Sequence, residues 1–109
     1  MSDFRNTLEE YVVEELKEID PCSMKTPGSG CGASLGDVSN KYFFVECKQK
    51  LTKANIIVDY KKEYMDLVGQ MPLNTDKIAI IVTENKHGDK FVTLDAGDFF
   101  NIVREAKNN

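Results

Sequence analysis

The sequence predicts a single α/β domain over residues 1–109, with a mixed, mostly antiparallel sheet of four or five strands flanked by three helices. Three observations carry this expectation. Apolar residues recur at helical spacing over residues 4–19 and 54–71. Short runs of aromatic and β-branched residues at 42–45, 78–82 and 91–94 read as strands. The chain is 109 residues long, enough for one modest core.

Taken in order, Ser2 or Asp3 can cap a first helix that runs to about Ile19, with Phe4, Leu8, Val12, Leu16 and Ile19 as its apolar stripe. Glu10, Glu14, Lys17 and Glu18 face away, whereas Glu9 lies at the edge of the stripe, one turn below Val12 and Val13. A carboxylate there is costly without a partner or a cation. Asp20-Pro21 stops the helix, and Cys22 to Thr26 is short enough for an edge strand. Pro27 to Ser34 holds three glycines and two serines and reads as a loop. It is either a plain connector or a segment that touches phosphates through backbone N–H groups and Ser29, Gly30 or Ser34. It lacks the Lys-Ser/Thr ending of a phosphate-binding P-loop, which excludes nucleotide binding of that kind.

A turn around Ser39-Asn40 leads into a strand from Tyr42 to Lys48. Thr52 can cap a second helix, about 53–70, with Ala54, Ile57, Val58, Tyr64, Met65, Val68 and Met71 as its core face and Lys61 snorkelling from it. Gly69 and Pro72 close that helix. Residues 77–82 form a continuous apolar run, as a central buried strand requires. Asn85 to Asp89 is a turn with His87 exposed on it, and Phe91 to Leu94 returns as a strand. Asp95 caps a last helix whose Phe99, Phe100, Ile102 and Val103 are expected to serve partly as core and partly as a subunit interface. The tail from Lys107 is expected to fray.

The chemistry concentrates between Asp37 and Lys48. Side chains alternate along a strand, so Glu46 and Lys48 share a face, roughly 7 Å apart, while Cys47 points to the other. If the two segments pair as a hairpin, Asp37 returns beside Glu46. Two neighbouring carboxylates repel unless a cation sits between them. Hard oxygen donors with open positions suit Mg²⁺, and an adjacent ammonium can orient water or stabilise charge on a phosphate. Read plainly, Glu-x-Lys is also a weak ion pair decorating the wet face of a strand.

Asp37, eight intervening residues and Glu46-Cys47-Lys48 resemble the Asp…Glu-x-Lys signature of the PD-(D/E)xK nuclease superfamily. With Gly28-Ser29-Gly30 upstream, the chain is similar within it to the small Holliday junction resolvases of archaea and bacteriophages. The resemblance covers nearly the whole chain; Gly36 stands where the superfamily name has its proline. It implies a restriction-endonuclease-like fold and Mg²⁺-dependent hydrolysis of DNA phosphodiesters at a four-way junction, with Mn²⁺ able to substitute. It further implies metal ligation by Asp37, Glu46 and a first-helix glutamate, which Glu9 matches best by spacing, with Glu10 and Glu15 as rivals. Lys48 would orient the water or stabilise developing charge. Ser29, Gly30, Ser34, Lys50 and Lys53 would contact DNA, and the protein would work as a homodimer. A related nicking or repair nuclease with another DNA target, or a non-catalytic interaction module, are the alternatives.

Composition agrees with a soluble protein: 41% hydrophobic and 29% charged residues, with no apolar run near the ~20 residues that span a membrane. The acidic N-terminus is unlike a signal peptide, so a cytoplasmic location is expected, or the host cytoplasm for a phage-encoded chain. Three cysteines at wide spacing, Cys22, Cys31 and Cys47, read as free thiols rather than a zinc site. Net charge is −4, which argues against a general nucleic-acid coat protein. Residues 21–62, however, set seven lysines against Asp37, Glu46 and Asp59, and this segment carries the candidate site.

Overall fold

The computed structural model describes residues 7–26, 37–49 and 59–108. Their elements follow the order α1 (Leu8–Lys17), β1 (Met24–Lys25), β2 (Val38–Ser39), β3 (Phe43–Gln49), α2 (Tyr60–Gln70), β4 (Ile78–Glu84), β5 (Lys90–Leu94) and α3 (Ala96–Lys107). The five strands form one sheet in the order β1-β2-β3-β4-β5.

The sheet is mixed rather than mostly antiparallel. Its central pair, β3 with β4, is parallel over seven residues, from Phe43↔Ile78 to Gln49↔Glu84. Antiparallel pairs flank it, β1–β2 and β2–β3 on one side and β4–β5 on the other. Parallel neighbours cannot be joined by a tight hairpin, and the connection that includes α2 makes the crossover.

α1 begins later than the periodicity suggests. Thr7 is extended (φ −136°, ψ 156°), and its hydroxyl accepts the Glu10 N–H at 3.1 Å, so Thr7 is the cap. Ser2, Asp3 and Phe4 lie outside the described residues. Leu8, Val12, Val13 and Leu16 are buried as a helical stripe, but Ile19, past the helix end, is 57% exposed. α2 likewise starts at Tyr60, where the Asp59 carboxylate accepts the Lys62 N–H at 3.0 Å. The expected cap Thr52, with Ala54, Ile57 and Val58, lies outside the described residues. The buried face of α2 is Leu67 flanked by half-buried Tyr64 and Met71, while the expected Met65 and Val68 are exposed.

Alternation along β3 and β4 divides the core in two. Val45, Ile80 and Val82 pack with Val38 and the α1 stripe on one face, and half-buried Cys47 joins them. Phe44 and Ala79 pack with Leu67 on the other face. α3 starts at Asp95, whose carboxylate accepts the Asp98 N–H at 3.2 Å, but none of its residues is buried. Its expected core share is absent: Phe99, Phe100 and Val103 are 47%, 55% and 45% exposed. Among the described residues no helix is long and apolar enough to cross a membrane.

The turn into β3 is held by a buried polar cluster. Asn40 is 5% exposed, and its side-chain oxygen accepts the N–H groups of Tyr42 and Phe43, each at 2.8 Å. Its amide donates to Ser23 Oγ at 3.2 Å, and Ser23 donates to the Asp20 carbonyl at 2.7 Å. The Asp20 carboxylate accepts from Cys22 N–H at 3.0 Å and Lys41 N–H at 2.9 Å. The end of α1 and the β2–β3 hairpin are thereby tied together, which fixes the segment that presents Asp37 and Glu46.

Candidate functional site

β2 and β3 pair as Val38↔Val45 and Ser39↔Phe44, and Asp37 lies next along that register, against Glu46. The Asp37 N–H donates to the Val45 carbonyl at 2.7 Å. Its carboxylate Oδ2 accepts the Cys47 N–H at 2.8 Å. Asp37 therefore extends the strand pair with its own side chain and is locked against β3, with its other oxygen outside that bond.

Glu46 and Lys48 share a face, as their spacing requires. Lys48 Nζ lies 3.4 Å from Glu46 Oε2 and 3.1 Å from Glu63 Oε2 on the first turn of α2. The Glu46 and Lys48 side chains are only 20% and 32% exposed, so this is no freely solvated pair. Burial raises the Glu46 pKa, the charge of Asp37 raises it further, and Lys48 offsets only part of the rise. Burial pulls on Lys48 in the opposite sense, but the bonds and charges of Glu63 and Glu46 outweigh it and leave its pKa raised. Both partners of the pair are thus held by their surroundings, the acid reluctantly and the base firmly.

Of the three candidate first-helix glutamates, Glu9, Glu10 and Glu15, Glu9 has the connection to this patch. It is half-buried, and burial first, then the charge of Asp37, raises its pKa. Glu10 instead pairs with Lys25 at 3.5 Å, and Glu15 is exposed. Cys47 lies on the opposite face; burial first and then the charges of Asp37, Glu9 and Glu46 push its thiol far up, so it stays protonated and unreactive. Gln49 also points away from the Glu46 face. Its oxygen accepts the Leu8 N–H at 3.4 Å and its amide donates to Glu84 at 2.5 Å, which ties the start of α1 to the end of β4.

Ser29, Gly30, Ser34, Lys50 and Lys53, the expected DNA contacts, lie outside the described residues, as does Cys31. His87 is exposed on its turn, where its N–H donates to Asn85 Oδ1 at 2.9 Å. Glu63 is the charged residue at this patch that spacing along the chain does not point to. Its signal is faint: an acid in the first turn of a helix, one turn before a leucine that turns out to be buried.

Among the described residues no group of three or more His, Cys, Asp or Glu side chains converges closely enough to hold a metal ion. The carboxylates of Glu9 and Glu46 nevertheless each feel the charge of Asp37, and all three donate hard oxygen. That donor chemistry fits Mg²⁺, which keeps several waters and takes one or two carboxylates, with Asp37 and Glu46 the pair best placed. Comparison with protein-family models, curated proteins and solved structures returned no match.

Proposed function

We propose that the protein is a Mg²⁺-dependent endodeoxyribonuclease of the PD-(D/E)xK type, with a restriction-endonuclease-like fold, that resolves four-way DNA junctions. One observation carries the nuclease reading. Asp37 is fixed against the Glu46 strand through its bond to Cys47 N–H, with Lys48 on the Glu46 face 3.4 Å from that acid. Two partly buried carboxylates set against each other are unfavourable in themselves: burial first, and then the charge of Asp37, raise the Glu46 pKa. A divalent cation relieves it. Such repulsion, kept in a small domain, is what a cation-dependent site requires.

Asp37 and Glu46 hold the metal in this reading, with Glu9 completing its shell from α1. Bound there, Mg²⁺ supplies Lewis-acid polarisation of the phosphate and a water of lowered pKa. Lys48, an ammonium flanked by carboxylates, orients the attacking water or offsets charge growing on the phosphate oxygens. The backbone of β2 and β3 holds these groups rigidly, so the DNA strand must come to them. Selectivity for a junction belongs to the resemblance and to the homodimer it implies, in which two sites meet two strands. The exposed Phe99, Phe100 and Val103 on α3 offer such a dimer an apolar face.

The test is cleavage of a labelled immobile four-way junction, beside linear duplex and single strand, in Mg²⁺ and in chelator. Asp37→Asn, Glu46→Gln and Lys48→Ala run in parallel with wild type. Paired, metal-dependent cuts in the junction that all three variants lose support the proposal. Cutting of every substrate retains the nuclease and removes junction selectivity. No cutting with Mg²⁺ or Mn²⁺ leaves an interaction module, with Glu46 and Lys48 as surface decoration.

A further inference from the structure

We propose that Glu63 is a positioning residue that holds the Lys48 ammonium over the Asp37–Glu46 face of β3. The role rests on the nuclease reading above; the contact itself does not. Glu63 Oε2 lies 3.1 Å from Lys48 Nζ, nearer than the 3.4 Å of Glu46. Its side chain is 22% exposed, so the pair is partly withdrawn from water.

α2 is built to place this acid. The Asp59 carbonyl accepts the Glu63 N–H at 2.9 Å, and the Asp59 side chain caps the helix. Leu67, four residues on, is 1% exposed and seated on Phe44 and Ala79. Residues four apart share a helix face, so seating Leu67 turns Glu63 toward the sheet. Phe44 lies on the same face of β3 as Glu46 and Lys48, which sets the Glu63 carboxylate above Lys48. A glutamate in the first turn is also favoured by the helix dipole, so the position itself carries no penalty.

Division of labour supplies the reason for a second acid. Lysine has a flexible four-carbon stem and loses considerable freedom when its head is fixed. Glu46 serves the cation in the proposed reaction and cannot also be a dedicated anchor. Among the described residues of the site Lys48 is the ion-pair partner of Glu63, which can hold it in place throughout.

The experiment measures kcat and KM for the junction with wild type, Glu63→Gln and Glu63→Asp, and adds Lys48→Ala and the double variant Glu63→Gln/Lys48→Ala for unfolding. Thermal unfolding of the same five proteins in chelator supplies the readout that needs no activity. Misplacing a group by an ångström costs up to ~100-fold, so Glu63→Gln should lower kcat ~10- to 100-fold with KM nearly unchanged. Glu63→Asp keeps the charge but is one methylene short, and should fall between. Glu63→Gln should lower Tm in the wild-type background and not in the Lys48→Ala background. If wild type cuts and Glu63→Gln retains full kcat, the contact is structural only and the positioning role is overturned while the nuclease stands. If Glu63→Gln lowers Tm as much in the Lys48→Ala background as in wild type, Glu63 acts elsewhere and the proposal is again overturned. If wild type cuts nothing in Mg²⁺ or Mn²⁺, the nuclease reading fails and takes the role with it, whatever the Tm coupling shows.

Discussion

Glu46→Gln should make the protein more stable in chelator at neutral pH, although it removes an ion-pairing acid. The raised pKa of Glu46 already includes the attraction of Lys48, so the ionised carboxylate is, on balance, disfavoured by the fold. Glutamine has the shape of the neutral acid, and Lys48 keeps Glu63 as a partner. Opposed side chains across an antiparallel pair have Cβ atoms ~5 Å apart. Carboxylates ~6 Å apart repel by about 0.7 kcal/mol in water and about 3 kcal/mol at intermediate dielectric. Burial, the largest cause of the raised pKa, adds to this and Lys48 offsets part of the sum, leaving about 1 kcal/mol, or a Tm rise of about 4 °C for a domain of this size. A raised folded-state pKa means that wild type is best off at Glu46 below the unfolded carboxylate value. That advantage is lost as pH rises through the folded one, so the gap between variant and wild type should open over this window and close in acid. Calorimetry in chelator at pH 7 and at about pH 4 reads both limits. Millimolar Mg²⁺ should reverse the order: wild type gains about 1.4 kcal/mol at ten times Kd, and the variant gains little. A lower Tm for Glu46→Gln in chelator at pH 7 would refute the reasoning, because Glu46 would then be a stabilising surface acid and not half of a strained pair.

Three further outcomes are expected. Asp37→Ala leaves the Cys47 N–H, bonded at 2.8 Å in wild type, without its acceptor, and should cost about 1–3 kcal/mol in denaturant unfolding, whereas Asp37→Asn keeps an acceptor and costs less. Leu67→Ala empties the centre of the smaller core cluster and should cost about 2–5 kcal/mol. By loosening α2 it should also slow cleavage, measured under conditions where the variant is still folded. Asp20→Asn should lower Tm at neutral pH, since backbone N–H donors from Lys41 and Cys22 hold the Asp20 pKa below its ordinary value. A depressed pKa contributes stability above the unfolded carboxylate value and loses it as pH falls through the folded one, so the Tm difference should shrink in acid.

The parts of the fold legible in the sequence are those written in short-range pattern. The strands at 43–49, 78–84 and 90–94, the Asn85–Asp89 turn and the Asp95 cap all follow from residue type and alternation within a few positions. Element starts are harder, because several residues can cap the same helix. Ser2, Asp3 and Thr7 are all good caps by residue type, and the apolar spacing continues back to Phe4; the cap of α1 is Thr7, with an extended backbone. The α2 face shows a second limit. Tyr64, Val68 and Met71 fit helical spacing as well as Tyr64, Leu67 and Met71 do. Docking on Phe44 and Ala79 selects the second set, and nothing local to α2 contains that choice.

The site divides in the same way. Asp37, Glu46 and Lys48 lie on one hairpin, so spacing alone brings them together. Glu63 is fifteen positions beyond Lys48 and reaches it only because of how β4 is joined to β3. A continuous apolar run such as Ile78–Val82 is the pattern of a parallel strand buried on both faces, but a central antiparallel strand covered on both sides reads the same way, so the run marks burial and not direction. Parallel pairing of β3 and β4 demands a crossover, and the crossover carries α2 back across the face that holds Phe44, Glu46 and Lys48. Misreading the sheet as mostly antiparallel and overlooking Glu63 are therefore one error with two consequences. Once β4 is known to run parallel to β3, an acid on the sheet-facing side of the first turn of α2 is the residue to look for beside Lys48.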